Sequence, residues 1–200
     1  MTHGEVSRRN FLMGSLGSGV LAGAALFGPA GLVAAGTEKL TDYDVGNAGQ
    51  EDYKEEQCSA SSNEDTQNCV KAWTPSISYI FDAVVTGPLY EEVTYRGLAS
   101  LAVDVLECPE RRESPLDVLA HGTSTRTFSA AEIAGGIAST LLFADAHNYT
   151  SRGYNMHALP MAQTLGGAVF WGVARKRGLP ASIAAHSTLN SIVMATYLRR

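Results

Sequence analysis

Long apolar segments separated by short polar breaks fill most of the chain after residue 73. Four such segments lie at about residues 73–106, 129–147, 157–174 and 180–198. Their apolar character is continuous, and none shows the strict alternation that is typical of a half-buried strand. This pattern predicts four helices and an all-α fold.

The length of these segments bears on where the helices lie. Each is 18 residues or longer, and the last two contain no Lys, Arg, Asp or Glu. Such lengths fit a bilayer span of about 20 residues, and their many Ala, Gly, Ser and Thr residues favour close packing of helices in a membrane. We therefore predict a polytopic helical membrane bundle of about four core helices plus an N-terminal helix. A soluble exported bundle with a buried polar site has a similar composition and is the alternative.

Basic residues in the polar breaks predict an orientation. With a cytoplasmic N-terminus, one set of basic residues near the predicted spans falls on the cytoplasmic side: Arg8, Arg9, Arg111, Arg112, Arg126, Arg175, Lys176 and Arg177. This distribution follows the positive-inside rule. It predicts a multi-pass protein of the cell membrane.

The N-terminus carries a targeting pattern. Arg8 and Arg9 precede an apolar run that ends in small residues, which resembles a twin-arginine export signal with Ala35 just before the cut. A plain N-terminal membrane anchor fits the same residues. We treat residues 1–36 as a signal or an anchor, with the twin-arginine translocation machinery as an expected partner.

The next stretch differs in composition. Residues 37–73 are acidic and rich in Ser and Asn, so they predict an exposed linker and leave residues 74–200 as the helical domain. Cys58 and Cys69 in the linker either pair outside the cytoplasm or remain thiols. The net charge of −5 and the lack of a basic stripe argue against a nucleic-acid partner.

Charges interrupt the first apolar segment in "PLYEEVTYRGL", residues 88–98. On an α-helix Glu92 and Arg96 share a face and can pair, whereas Glu91 is turned about 100° away. An ionisable residue in a spanning helix costs about 2.5–3.5 kcal/mol on insertion scales, so it calls for a partner or a role. Glu91 is therefore a candidate general base.

Two further residue pairs, each with at least one polar member, lie on later segments. Phe143 and His147 are four residues apart, as are His186 and Asn190, so each pair projects from one helical face. Each motif alone also fits a surface ion pair, a helix-end histidine or a helix-packing hydrogen bond. Together, Glu91, His147, His186 and Asn190 predict one polar pocket between helices.

The order E-E-x-x-x-R, F-x-x-x-H and H-x-x-x-N on three apolar segments resembles the CAAX prenyl protease and bacteriocin-processing (CPBP) family. These are Rce1-type intramembrane glutamic proteases, also called the Abi family. The resemblance covers about residues 75–197, and "GGAVFWGVARKRGLPASIAAHSTLNSIV" is similar to the last two helices of the family.

The resemblance implies an intramembrane endopeptidase that hydrolyses a peptide bond in a peptide or membrane-associated protein. Glu91 would activate the attacking water, and His147 would hold that water or move its proton. His186 and Asn190 would stabilise the oxyanion. The remaining motif residues, Glu92, Arg96 and Phe143, would support the site.

The resemblance favours a mechanism without a cofactor. Glu91, His147 and His186 also form a plausible zinc set, which is the alternative. Two other functions remain open: a non-enzymatic membrane protein for bacteriocin-type immunity or peptide binding, and a soluble exported metal-binding bundle.

Overall fold

The computed structural model describes residues 13–29, 75–107, 114–123, 127–147 and 161–198, together with Leu32 and the strand residues 149–150 and 153–154. These residues are almost entirely helical, which confirms the predicted all-α class. The helices are α1 (13–29), α2 (Ile77–Phe81), α3 (Gly87–Glu91), α4 (Leu98–Glu107), α5 (Pro115–His121), α6 (Ala130–Ala146), α7 (Met161–Arg177) and α8 (Leu179–Tyr197). Two short strands, β1 (Tyr149–Thr150) and β2 (Gly153–Tyr154), pair antiparallel between α6 and α7.

The first apolar segment forms one continuous helical run, residues 77–107, which we call the site helix. Two wide π-helical turns, π1 (Asp82–Thr86) and π2 (Glu92–Gly97), join α2, α3 and α4. The N–H of Gly87 bonds to the carbonyl of Asp82, five residues earlier, directly before Pro88. Because proline lacks an N–H and crowds the carbonyl four residues earlier, a regular α-helix is disfavoured here. The regular helix that the sequence predicted is therefore interrupted twice.

The limits of the later helices follow the predicted segments closely. Ser129 caps α6 and forms a capping box with Glu132, while His147 occupies the C-cap position. The helix α5 was not predicted, because its residues lie in the polar break between the first two apolar segments. Its signals are nevertheless local: Ser114 is the N-cap, Pro115 follows it, and Gly122 ends the helix with φ of 79°.

Helix α7 is the centre of the packing. It contacts α6 on one side and α8 on the other, and the site helix contacts both α6 and α8. Leu26 of α1, Phe170 of α7 and Ala185 of α8 form a buried apolar cluster. This arrangement brings the three predicted motifs to one region of the molecule.

Arg175 departs from its predicted place in a polar break between two helices, because α7 continues to Arg177. It is fully buried, and its guanidinium donates to Asp104 at 2.9 and 3.1 Å and to Glu132 at 2.7 and 3.2 Å. The three residues belong to α7, α4 and α6, so one buried ionic network ties three helices together. Arg175 therefore drops out of the count of basic residues that supports the predicted orientation.

Within the ranges that the structure describes, no helix combines the length and the apolarity needed to cross a membrane. Several sequence predictions lie outside those ranges: the twin arginine, the cut after Ala35, the linker 37–73 and the pairing of Cys58 with Cys69. The multi-pass topology stays a prediction.

Candidate active site

Glu92 is the buried centre of the site. Its side chain has no exposed surface. The hydroxyl of Ser182 donates to Oε2 at 2.5 Å, and Nδ1 of His186 lies 3.0 Å from Oε1. Helical spacing predicts a pairing of Glu92 with Arg96 alone, but the closest polar neighbours of this carboxylate come from α8.

Arg96 makes a weaker contact with the same carboxylate. Its Nη1 lies 3.5 Å from Oε1 of Glu92, and its Cζ lies 4.0 Å from the ring centre of Phe143. Among the described residues, no hydrogen-bond acceptor serves its three nitrogens. The guanidinium is thus a buried cation beside one carboxylate and two aromatic rings, Phe143 and, at 5.7 Å, Phe170.

Gly167 on α7 makes room for Arg96. A Cβ at this position would lie 3.2 Å from Arg96 Nη2 and equally close to Phe143 and Thr140. A larger residue would therefore press on the ring of Phe143 and on the guanidinium above it. The Gly-rich stretch of α7 therefore determines how much space Arg96 and Phe143 have at the site.

His186 contacts two aromatic rings and is anchored at one nitrogen. Phe170 stacks on its ring at 4.6 Å, and Phe143 meets it edge-on at 5.7 Å. The bond to the carboxylate of Glu92 assigns a proton to Nδ1, because an ionised carboxylate only accepts. The other nitrogen, Nε2, is then the one that faces Glu91.

Glu91 sits beside this nitrogen. Its Oε2 lies 3.7 Å from His186 Nε2, and its side chain is 28% exposed. In the described part of the chain, Oε2 is buried and has no hydrogen-bond partner. Glu91 is therefore the more exposed of the two carboxylates, whereas the side chain of Glu92 has no exposed surface.

Asn190 lies one helical turn beyond His186 on α8. Its Nδ2 donates to the carbonyl of Ala83 at 2.8 Å, which belongs to the wide turn π1. An amide has two N–H donors, and this bond uses one of them. Asn190 thus links α8 to the site helix at π1, eight residues before Glu91.

His147 lies at the edge of the group. It is exposed, its Nδ1 lies 2.8 Å from the carbonyl of Phe143, and its ring lies 4.6 Å from the ring of Phe143. Phe143 therefore contacts both imidazoles. The structure brings Glu91, Glu92 and His186 into direct contact and joins His147 to them through Phe143.

Two residues of the site were missed by the sequence analysis, Ser182 and Phe170. Ser182 precedes His186 by four residues on α8, so the spacing S-x-x-x-H would have placed its hydroxyl on the same face. Phe170 lies on α7 and carries no comparable signal, because its contact with His186 depends on how the two helices pack.

The structure also bears on the zinc alternative. In the described ranges, no group of three or more His, Cys, Asp or Glu side chains is arranged to hold a metal ion. Glu91 and His186 are neighbours, but His147 is directed to the backbone of its own helix.

The arrangement offers specific chemistry. A partly exposed carboxylate, Glu91, adjoins an imidazole whose far nitrogen is anchored to a buried carboxylate, Glu92. Such a set can take a proton from a bound molecule and stabilise charge beside it. If His186 carried a proton on both nitrogens, its positive charge would lie between the carboxylates of Glu91 and Glu92, which would compensate it.

The comparison with protein families gives a match over most of the helical region. The model of the type II CAAX prenyl endopeptidase Rce1-like family matches residues 73–192. This range contains every residue of the site described above. A search of curated proteins and a search of solved structures each gave no match. On the strength of the family match, this chain belongs to the Rce1-like family of type II CAAX prenyl endopeptidases.

Proposed function

We propose that this protein is a membrane-embedded endopeptidase that hydrolyses peptide bonds with water activated by Glu91. The observation that carries the proposal is the contact between Glu91 and His186, with Glu92 buried behind the imidazole. It supplies a reachable base next to a group that can donate a hydrogen bond. The family match supports the reaction class.

The proposed reaction begins at Glu91. A water molecule attacks the carbonyl carbon of the scissile bond, and its proton goes to the Glu91 carboxylate. The carbonyl oxygen becomes an oxyanion, which accepts hydrogen bonds from His186 Nε2–H and from the Asn190 amide. The C–N bond then breaks, and the leaving nitrogen takes the proton from Glu91.

Glu92 makes the donor role of His186 feasible. To donate to an oxyanion, Nε2 must carry a proton while Nδ1 stays bonded to Glu92. The imidazolium form meets both conditions, because both of its nitrogens are donors. The buried carboxylate of Glu92 then compensates the positive charge of the His186 imidazolium. His147 assists proton transfer from its exposed position next to Phe143.

The distribution of polarity supports a membrane setting. Four of the largest fully buried side chains are charged, namely Arg96, Arg175, Glu92 and Glu132. Large apolar side chains are instead exposed on α3, α4, α6 and other helices: Leu89, Leu98, Leu106, Ile133, Ile137 and Leu142 are examples. Extensive exposed apolar surface marks a contact with lipid or protein, and ionisable groups in membranes face the bundle interior.

The substrate in this proposal is a peptide or the segment of a membrane-associated protein that reaches Glu91. No cofactor takes part in the proposed steps. The chain would lie in the cell membrane in several passes, with its N-terminus in the cytoplasm.

The experiment that tests the proposal replaces Glu91 with Gln and compares newly formed protein N-termini in membranes from cells that express each form. The wild type should generate N-termini that are missing with Glu91→Gln. The matched control is Asp82→Asn, the same carboxylate-to-amide change at an exposed position of the site helix, and it should retain them. An unchanged set of N-termini with Glu91→Gln would refute the proposal.

A further inference from the structure

The N-terminal helix α1 packs directly against α8, the helix that carries His186. A Cβ on Gly19 would lie 2.2 Å from the carbonyl oxygen of Ala181, and one on Gly23 would lie 2.1 Å from that of Ala185. Both distances are far below van der Waals contact, so only glycine fits at these two positions. They are four residues apart and form one face, as in close helix packing through small residues.

Two other contacts of α1 are independent of the glycines. The hydroxyl of Ser15 is buried and donates to the carbonyl of Arg177 at 2.6 Å, where α7 ends. Leu26 is buried against Phe170 and Ala185. The helix is therefore attached near both of its ends as well as along its middle.

The contact is confined to one face of α1. A Cβ at Gly14, Gly17 or Gly28 would meet nothing within 4 Å. Leu21, on the outer side, is 73% exposed. A helix that merely lay near the bundle would not show such a sharp division between its faces.

This face also adjoins the candidate active site. Ala185 directly precedes His186 in α8, and Phe170, the second partner of Leu26, stacks on the His186 ring. Helix α1 therefore packs against α8, which carries His186, and against Phe170 of α7, which stacks on the His186 ring.

We propose that α1 is retained in the mature protein as a permanent helix of the bundle and that its docking surface on α8 is the face made by Ser15, Gly19, Gly23 and Leu26. Of the two alternatives for the N-terminal segment, the proposal selects the retained anchor, and it names α8 as the intramolecular partner. A cut after Ala35 would remove α1 from the protein. Its loss would expose Ala181 and Ala185, which have no exposed surface in the structure, and would take Leu26 out of the buried cluster.

A disulfide cross-link tests the docking directly. Leu26 of α1 and Leu189 of α8 contact the same buried cluster, so cysteines at these two positions can reach the Cβ–Cβ separation of about 3.5–4.5 Å that a disulfide needs. The test uses the full-length chain with Leu26→Cys and Leu189→Cys, after replacement of Cys58, Cys69 and Cys108 by Ser. Mild oxidation should give an intramolecular bond that a reductant reverses.

The matched control carries Gly28→Cys in place of Leu26→Cys, with Leu189→Cys retained, and should form no such bond, because a Cβ on Gly28 meets nothing within 4 Å. Mass spectrometry after reduction should find residues 13–29 still attached. A mature chain that begins after Ala35, or equal cross-linking in the two pairs, would overturn the proposal. Neither readout uses proteolytic activity, so the result is separate from the fate of the proposed function.

A second test uses stability. Gly23→Leu should lower the melting temperature of the purified protein, because the new side chain collides with the backbone of α8. Gly17→Leu should leave the melting temperature unchanged or raise it, since leucine favours a helix more than glycine does. Equal melting temperatures for the two variants would contradict the docking, and the cross-link still decides if Gly23→Leu fails to accumulate.

Discussion

Glu91 and Glu92 are adjacent in the chain but have opposite surroundings. Glu92 is fully buried and has contacts with Ser182, His186 and Arg96. Glu91 is partly exposed, and its Oε2 lies 3.7 Å from His186 Nε2. Two carboxylates on one turn can therefore have different tasks, one holding the imidazole and the other meeting the substrate.

This difference predicts separate outcomes for the two glutamates. Glu92→Gln should destabilise the protein by about 3–5 kcal/mol, because it leaves the buried guanidinium of Arg96 without a counter-charge. Glu91→Gln should leave the melting temperature close to that of the wild type while activity is lost. Thermal unfolding in detergent measures both, and equal melting temperatures for the two variants would contradict the assignment.

At the scale of single residues, the sequence pointed to most of the polar side chains that make up the candidate site. Glu91, Glu92, His147, His186 and Asn190 stood out because polar groups are rare in apolar helices. The partner of Glu92 could not be predicted in this way. Helical spacing links Glu92 to Arg96 on the same helix, whereas its bonds to Ser182 and His186 cross about 90 positions of sequence and depend on packing.

The helices themselves show a similar division. The capping box of Ser129 and Glu132 and the C-cap at His147 are local signals, so the limits of α6 could be read directly. The wide turns π1 and π2 could not, because the hydrophobic pattern does not distinguish them from a regular helix. Such turns occur often at functional sites, and here they bracket Glu91.

Close packing between α6 and α7 gives a prediction at the scale of elements. A Cβ on Gly136 would lie 2.5 Å from Trp171 Nε1, and the indole is almost fully buried. Gly136→Ala should therefore destabilise the protein by about 1–3 kcal/mol through overpacking. Chemical denaturation measures the change in the free energy of unfolding.

Gly172→Ala provides the control on α7. A Cβ there meets nothing within 4 Å, so the variant should gain about 0.5–1 kcal/mol from the better helix propensity of alanine. If both alanine variants change stability in the same direction, the tight contact at Trp171 is not a determinant of this helix pair.

In the whole molecule, buried charges join helices that are far apart in sequence. Arg175 bridges Asp104 and Glu132, and Arg96, Glu92 and His186 form a second charged group around the site. Ion pairs of this kind hold their partners in register, because a displaced partner leaves a buried charge uncompensated.

The Arg175 network yields a third prediction. Arg175→Met should cost about 3–5 kcal/mol, because it removes the guanidinium from its buried ion pairs with Asp104 and Glu132. Arg177→Met, two residues later at an exposed position, should have little effect on the free energy of unfolding. Similar losses for the two variants would show that the network does not hold the three helices together.

The exposed apolar surface leads to a prediction about extraction. In the proposed membrane setting, lipid would cover the apolar side chains of α3, α4 and α6, so membranes washed with alkaline carbonate should keep the protein in the pellet and detergent should release it. A known peripheral protein in the same membranes serves as the control and should appear in the wash. Release of this protein by carbonate would contradict membrane embedding.

The sequence by itself determined the helical class, most of the helix limits, the family resemblance and the polar residues worth examining. These features rest on local spacing, capping and composition, which the chain carries without any tertiary contact. The tertiary structure alone decided that His186 is anchored to Glu92, that Arg175 is buried between two acids, and that α1 lies against α8. Each of these depends on contacts between segments far apart in the chain, where shape and charge must match across helices, and no local pattern records such a match.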